Sequence, residues 1–410
     1  TIRSLMPMQN DIKQYDVVIV GGGLVGTALA AALAKSPLSI LLLEQNTVAA
    51  VAANILDLRT TGLSRSSATI FQQIGLWEKI EPLVTAIEKL DISEQGGYGS
   101  ARIDAREFEM SPVGYMAPNL DLIKILSEYV QGLENVSIQA PASLVALEKN
   151  TQGYLLQCSS GENELQVQAS LVVGADGARS KLRSLLAIDS SHKDYAQTAI
   201  ISNVRPEKLH NNCAYERFTQ HGPLAILPIQ DQHCALIWTH ASEQAAAHMA
   251  LDDDAFLAAL QQAFGHRLGR LEAVGERVSY PLSMTTASAL YKPAAVLLGN
   301  AAQSVHPVAA QGFNLGLRDV QSLVGLLQQQ DYKLDGLDQL LKVYADSRVA
   351  DREHVIKLTD GLTRMFAAQF PAARALRGVG LRVLGALAPL QRVLLNRNSG
   401  MRYLNHWFDQ

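Results

Sequence analysis

Hydrophobic residues first gather in the block Val17 to Val20, are interrupted by three glycines, resume in an Ala- and Leu-rich run to Ala34, break at Ser36-Pro37 and gather again from Ile40 to Leu43. A short apolar run reads as a buried strand and a longer one as a helix, so this rhythm predicts strand, tight glycine turn, helix and second strand, a βαβ unit. A polar loop through Asn46 to Ser64 follows, then a short helix over about 64–77 whose Ile70, Ile74 and Leu76 share a face. From Ile87 to Tyr115 the pattern is short, irregular and glycine-bearing, as in the strands of an inserted sheet.

Leu122, Ile125, Leu126, Tyr129 and Val130 recur at helical spacing and stop at Gly132, which predicts a helix. "VSIQA", "SLVALEKN", "GYLLQCSS", "ELQVQA" and "SLVVGADG" read as closely spaced strands, the last apolar enough to be central. Over about 195–281, strand-like runs such as "GPLAILPIQ" and "CALIWTH" surround one helical stretch near 243–264, a second and mostly antiparallel sheet with a helix on it. The chain then returns to a buried strand, "AAVLLGN", and finishes helical. A chain of 410 residues exceeds one ordinary core, so two packed domains are expected.

Composition narrows the partners. Lys plus Arg number 35 against 39 for Asp plus Glu, which gives no global reason to expect nucleic acid. Cys158, Cys213 and Cys234 lie far apart without ligand spacing, so a disulfide framework or metal site has no support and a reducing cytosol is the expected home. The first fourteen residues lack a signal-peptide core, and although Val17 to Ala34 has about the length of a membrane span, its glycines argue against one.

The chemistry lies in three stretches. Gly21-Gly22-Gly23-Leu24-Val25-Gly26 is a GxGxxG between strand and helix, with Glu44 closing the next strand. In such a unit the first glycine makes the turn, the second lets backbone N–H groups approach a pyrophosphate, and the third lets helix meet strand; the acid accepts from a ribose hydroxyl. In the second stretch, "LVVGADGARSKLR", Asp176 and Gly177 follow a strand and Arg179 starts a helix. The third, "VLLGNAAQSVHPVAAQGFNLGLRD" (296–319), starts a helix at about Gly312, whose free N–H groups favour negative charge on a nearby electron-rich ring. A turn-former is the competing reading of Asp176, helix capping and packing that of Asn314 and Gly316, and a backbone-bonded loop residue that of His306.

Together, GxGxxG, "GADGARS" and "GNAAQSVHPVAAQGFNLGLRD" resemble the three signatures of class A flavoprotein aromatic hydroxylases. "DLRTTGLSRSSATIFQQIGLW", "GYMAPN", "GPLAILPI" and "LIWTH" are similar to the ubiquinone-biosynthesis branch of that family, so the resemblance covers nearly the whole chain. It implies an α/β fold: a Rossmann-like FAD-binding domain of the p-hydroxybenzoate-hydroxylase, glutathione-reductase type, with an inserted, mostly antiparallel β-sheet substrate domain and a helical C-terminal tail. The FAD domain is expected from about 1–77, 116–185 and 282–360, the substrate domain from 78–115 and 186–281, and the tail from 361–410.

By resemblance, Gly21, Gly23, Leu24, Val25 and Gly26 hold the FAD pyrophosphate, Glu44 the adenosine ribose, and Arg59 the flavin side. Asp176 and Gly177 are associated with FAD and with NADPH or NADH, the transient electron donor. Pro307, Gly312, Phe313, Asn314 and Leu315 belong beside the flavin, and residues 222–228 form an apolar wall there. Asn300 stands where most of the family has an Asp bonded to a ribitol hydroxyl, and "GNAAQ" in place of "GDAAH" tilts the match towards the methoxyphenol branch. The reaction implied is hydroxylation of a polyprenylated phenol with O2; no residue is singled out for proton transfer. A sister hydroxylase acting at another ring position, and a flavin- or lipid-binding scaffold with little activity, stay open.

From residue 361 on, Arg364, Arg374, Arg377, Arg382, Arg392, Arg397 and Arg402 face the single acid Asp409, a balance of +6 against −10 in the rest. A basic amphipathic helix suits an anionic membrane surface or a protein of a ubiquinone-synthesis complex; an arginine face packed on the acidic body is the competing reading. The expectation is a cytoplasmic protein with peripheral contact on the inner face of the membrane.

Overall fold

The computed structural model describes residues 12–47, 60–161, 163–305, 311–367 and 371–404, with the main chain alone over 362–367 and 371–374. The chain runs β1 (Lys13–Val20), α1 (Leu24–Ala32), β2 (Ile40–Leu43), β3 (Thr60–Ser64), α2 (Arg65–Ile74) and α3 (Trp77–Ile80). β4 (Thr85–Ile87), β5 (Lys89–Glu94) and β6 (Ser100–Asp104) lead to β7 (Gly114–Pro118) and α4 (Asn119–Gln131). Then come β8 (Val136–Gln139), β9 (Ser143–Asn150), β10 (Gly153–Ser160), β11 (Asn163–Gly174) and α5 (Lys181–Leu185). β12 (Ser190–Pro206), β13 (Cys213–Phe218), β14 (Pro223–Pro228) and β15 (Cys234–Ala241) precede α6 (Ser242–Met249) and α7 (Asp253–Phe264). β16 (Leu271–Val274), β17 (Val278–Ala287), β18 (Tyr291–Lys292), β19 (Ala295–Leu297) and β20 (Gln303–Ser304) come before α8 (Gln311–Gln329), α9 (Leu337–Ala367), α10 (Pro371–Ala386) and α11 (Ala388–Ser399).

The first sheet has the order β18-β19-β11-β1-β2-β8, with β10 and β9 added on β11. Its centre is parallel, and Val17, Val18 and Ile19 have no exposed surface, as expected of β-branched residues in a strand covered on both faces. The register sets Gln139, Leu43, Val20, Gly174 and Leu297 abreast at the strand ends. Every loop leaving these ends emerges on one edge, where open α/β sheets bind ligands.

The second sheet, β20-β17-β12-β15-β14-β13-β5-β6 with β16 beside β12, is antiparallel except where β13 meets β5. Helices α6 and α7 cover one face of it, where Ile200, Leu224, Ile226, Leu236 and Trp238 pack with Phe256, Leu260 and Phe264.

Three local expectations are corrected. "ELQVQA" and "SLVVGADG" form one strand, β11, because β10 pairs along its first half and β1 along its second, leaving no free backbone for a turn. The helical stretch near 243–264 is two helices: Asp252 breaks it by capping α7, its side chain accepting from Ala255 N–H at 2.8 Å. Thr60–Ser64, expected as loop, is a strand paired antiparallel with β7.

Candidate functional site

The glycine loop is built by contact. Gly21 has φ +106°, and a Cβ there would lie 2.5 Å from the Ala175 carbonyl oxygen; at Gly26 it would lie 1.9 Å from that of Gly21. These two glycines let β1, α1 and the loop after β11 meet. Gly23 differs: it is exposed, its φ of −70° suits any residue, and a Cβ there would meet nothing within 4 Å among the described residues. It precedes α1, whose first N–H groups have no capping side chain. Open space above uncapped N–H groups is what a pyrophosphate requires.

Leu24 and Val25 start α1 half-buried. The Val25 methyls approach the positions a Cβ would take on Gly299 (3.0 Å) and Gly316 (2.7 Å), so Val25 is the point where α1, the turn after β19 and α8 touch. Glu44 ends β2, and its Oε2 accepts from Gly22 N–H at 2.7 Å while Oε1 accepts from Asn46 N–H at 2.8 Å. The acid thus pins the glycine loop.

Asp176 and Gly177 leave β11 beside Gly21. One Asp176 oxygen accepts from Leu182 N–H at 3.0 Å; the other, Oδ1, is buried without a partner among the described residues. A buried carboxylate oxygen left unsatisfied beside the glycine loop fits a ligand that donates to it. Gly177 has φ +80° and open space where a Cβ would stand. The helix after this motif starts at Lys181, capped by Ser180, rather than at Arg179, which is exposed in the preceding turn.

Asn300 is exposed in the single turn that follows β19. Gly312 and Phe313 are half-buried at the start of α8; among the described residues a Cβ on Gly312 would meet Val305, at 3.9 Å, and Phe313 lies 6.4 Å from the Phe71 ring. Leu315 is fully buried in the core. Asn314 is engaged inside the protein: its Oδ1 accepts from Ser64 N–H (2.8 Å) and the Ser67 hydroxyl (2.6 Å), and its Nδ2 donates to the Gly62 carbonyl (2.8 Å). Its side chain therefore ties α8 to the β3–α2 junction. Arg59, His306 and Pro307 lie outside the described residues. Of residues 222–228, Leu224 and Ile226 face the helices, so only Pro223, Ala225 and Leu227 point to the other side of the sheet.

Two supports escape the motifs. Arg183 donates to the Ala301 carbonyl and the Ala178 carbonyl, both at 2.8 Å, and so joins the second and third signatures. Asp319 accepts from Gly299 N–H and Gln303 Nε2, both at 3.0 Å, and its other oxygen takes Arg348 Nε at 2.7 Å. Arg348 also reaches Asp351 at 2.6 Å, and Asp351 binds Arg318 at 2.7 Å. Burial alone would raise the Asp351 carboxyl, but Arg348 and Arg318 outweigh it and hold it below the usual carboxylate range. The signal was the pair Arg318-Asp319 inside an apolar helix, since buried charges need partners; nothing local announced Arg348 and Asp351.

The strand ends, the open Gly23 and the unpaired Asp176 oxygen suit an elongated phosphate-bearing dinucleotide. Comparison with known proteins agrees. A family model described as "FAD binding domain" matches residues 14–359. The ubiquinone hydroxylase UbiL of Rhodospirillum rubrum is 34% identical over 391 residues, 95% of this chain and 90% of that protein. The 3-demethoxyubiquinol 3-hydroxylase of Escherichia coli is 29% identical over 94% of this chain and 98% of its own. Among solved structures, p-nitrophenol 4-monooxygenase PnpA from Pseudomonas putida DLL-E4 superposes with TM-score 0.78 at 16% identity, covering 95% of this chain and 99% of that one, a likeness of fold. The chain belongs to the FAD-binding-domain family of class A flavoprotein hydroxylases, FAD-dependent aromatic monooxygenases whose members include ubiquinone hydroxylases.

Proposed function

We propose that this protein hydroxylates the aromatic ring of a polyprenylated phenol in ubiquinone biosynthesis, with 2-octaprenyl-6-methoxyphenol as substrate. The observation that carries the reading is the meeting of three signatures at neighbouring strand ends, Val20, Gly174 and Leu297 in register. The similarity to ubiquinone hydroxylases along nearly the whole chain supports the substrate class, and Asn300 in "GNAAQ" supports the methoxyphenol branch.

On this reading Gly21, Gly23, Leu24, Val25 and Gly26 hold the FAD pyrophosphate, Glu44 the ribose beside the loop it pins, and Asp176 offers its unpaired oxygen to the cofactor. Asn300 reaches the ribitol with an acceptor oxygen but no charge. Arg59, Gly177, Pro307, Gly312 and Phe313 complete the cradle, with Asn314 and Leu315 fixing the helix start beneath it. The chemistry a bound FAD supplies is activation of O2 with electrons from NADPH or NADH, so that one oxygen atom enters the ring. The protein's share is to orient the two flat partners, stabilise negative charge at the start of α8 and exclude water. The FAD domain is assembled from about 1–77, 116–185 and 282–360, and the substrate domain, from 78–115 and 186–281, supplies most of the second sheet.

The tail, from 361, is the contact with an anionic membrane surface. Along α10 and α11, Leu376, Val379, Val383, Leu387, Leu390 and Val393 are exposed, as are Arg382, Arg392 and Arg397 among them. Helices α10 and α11 meet at 95°, and no single helix among the described residues is long and apolar enough to cross a membrane.

Purified protein is expected to be yellow with bound FAD and to oxidise NADPH faster when a prenylated 2-methoxyphenol is added, giving a ring-hydroxylated product. A protein that takes up no FAD on reconstitution, or whose NADPH oxidation ignores the phenol, would overturn the proposal.

A further inference from the structure

The second sheet has one face under α6 and α7 and one face free of them. Side chains alternate along a strand, so Tyr215, Leu224, Leu236 and Ile200, which pack with the helices, put Glu216, Ala225, Ile237 and Ile201 on the opposite face. The register sets these in a line: Ile92 of β5 opposite Glu216 of β13, Glu216 opposite Ala225 of β14, Ala225 opposite Ile237 of β15, and Ile237 opposite Ile201 of β12. Four of the five are apolar. The fifth is a carboxylate in the middle of the sheet.

Glu216 is half-buried within this row. Among the described residues it has no hydrogen-bond or ion-pair partner. Glu94, two residues beyond Ile92 on the same face, is paired with Arg377 of α10 (2.6 Å); Asp91 and Arg217 belong to the helix-covered face, where they meet Arg267 and the Ala263 carbonyl. Burial alone raises the Glu216 carboxyl, to about 7, with no nearby charge contributing. A half-buried carboxylate without a protein partner, set in a row of apolar side chains, fits a group that binds there and donates to it.

We infer that Glu216 is the specificity-determining residue of the substrate domain: its carboxylate accepts a hydrogen bond from the ring hydroxyl of the phenol, while Ile92, Ala225, Ile237 and Ile201 hold the ring and its apolar substituent. This rests on the phenol-hydroxylase reading above and gives that reading its first named substrate contact. Phe218 and Ala214, two positions either side of Glu216 on the same face, are buried and apolar, so the carboxylate alone supplies polar recognition along β13 there. An aromatic ether of the same shape, which cannot donate, would leave the acid unsatisfied and is discriminated against.

The test uses the FAD-loaded full chain and two ligands, a short-chain 2-methoxy-6-prenylphenol and its O-methyl ether. Binding is read by perturbation of the flavin spectrum and by equilibrium dialysis, independently of turnover. Wild type is expected to bind the phenol at least about tenfold more tightly than the ether. Glu216→Gln, whose amide both accepts and donates, is expected to narrow that ratio to within about threefold while retaining FAD; Glu216→Leu is expected to weaken phenol binding about tenfold or more and to leave the ether's affinity unchanged or improved. Wild-type discrimination preserved in Glu216→Gln, the isosteric variant that keeps the fold, overturns this inference alone. A wild-type protein that binds neither ligand overturns the phenol-hydroxylase reading with it.

Discussion

At the scale of single residues, the motif glycines divide by what surrounds them. Gly26 and Gly23 both stand in GxGxxG, but a Cβ on Gly26 would press within 1.9 Å of the Gly21 carbonyl oxygen, whereas one on Gly23 would enter open space. Gly26→Ala is therefore expected to destabilise the fold by about 1–3 kcal/mol, read as a lower urea midpoint. Gly23→Val should leave that midpoint within error and abolish FAD retention on gel filtration. Equal loss of stability in both would show that Gly23 also serves packing. The sequence made both glycines legible as a motif but not this division, because it depends on how the loop folds Gly26 onto the Gly21 carbonyl and on Ala175, brought near by the sheet. Asn314 is the clearest case of a residue whose type was legible and whose partners were not: Ser64, Ser67 and Gly62 lie some 250 positions away. Glu216 was unreadable for a related reason. A Glu between Tyr215 and Arg217 looks like a solvated position, and only the register across five strands puts it among isoleucines.

Elements were read well where one period ran unbroken, as in the βαβ start and in α4, and badly where pairing decided. β11 was split because its first half is polar and its second apolar; its two neighbours make it one. Helices α8 and α9 are joined by the buried group Arg318, Asp319, Arg348 and Asp351, none more than 3% exposed. Removing one member leaves charges without partners, so Arg348→Met is expected to cost about 3–5 kcal/mol in urea unfolding. The group also fixes an acid limit. Asp351 is held below the usual carboxylate range when folded, so its contribution is present above the unfolded value near 4 and is lost as pH falls through the folded one. Stability should therefore drop in acid, and Asp351→Asn should flatten that drop; an unchanged slope would mean that other carboxylates govern it.

For the whole molecule, the tail's lopsided charge was visible in the sequence, but its use was not. Arg377 is buried and bound to Glu94, so it belongs to the packing of α10 on the second sheet, as the competing reading held for this one residue. Close approach of α10 at Gly99 and Gly378, where a Cβ on Gly99 would lie 2.3 Å from the Gly378 carbonyl oxygen, completes that seat. Arg382, Arg392 and Arg397 are exposed beside the apolar side chains of the tail, although Arg382 Nε also donates to the Tyr98 carbonyl at 3.4 Å. Reversing these three to Glu is expected to reduce sedimentation with phosphatidylglycerol liposomes by an order of magnitude or more and to leave FAD content unchanged. Unaltered sedimentation would return the tail to a purely internal role.

The two working surfaces share no strand. The cofactor loops leave β1, β2, β11 and β19, whereas the row through Ile92, Glu216, Ala225, Ile237 and Ile201 crosses β5, β13, β14, β15 and β12. On the proposed reading, ring preference and flavin affinity are set by separate strands and can vary independently. A combinatorial library confined to that row would explore new phenols without eroding holoenzyme formation, and yellow colour alone would serve as its quality screen.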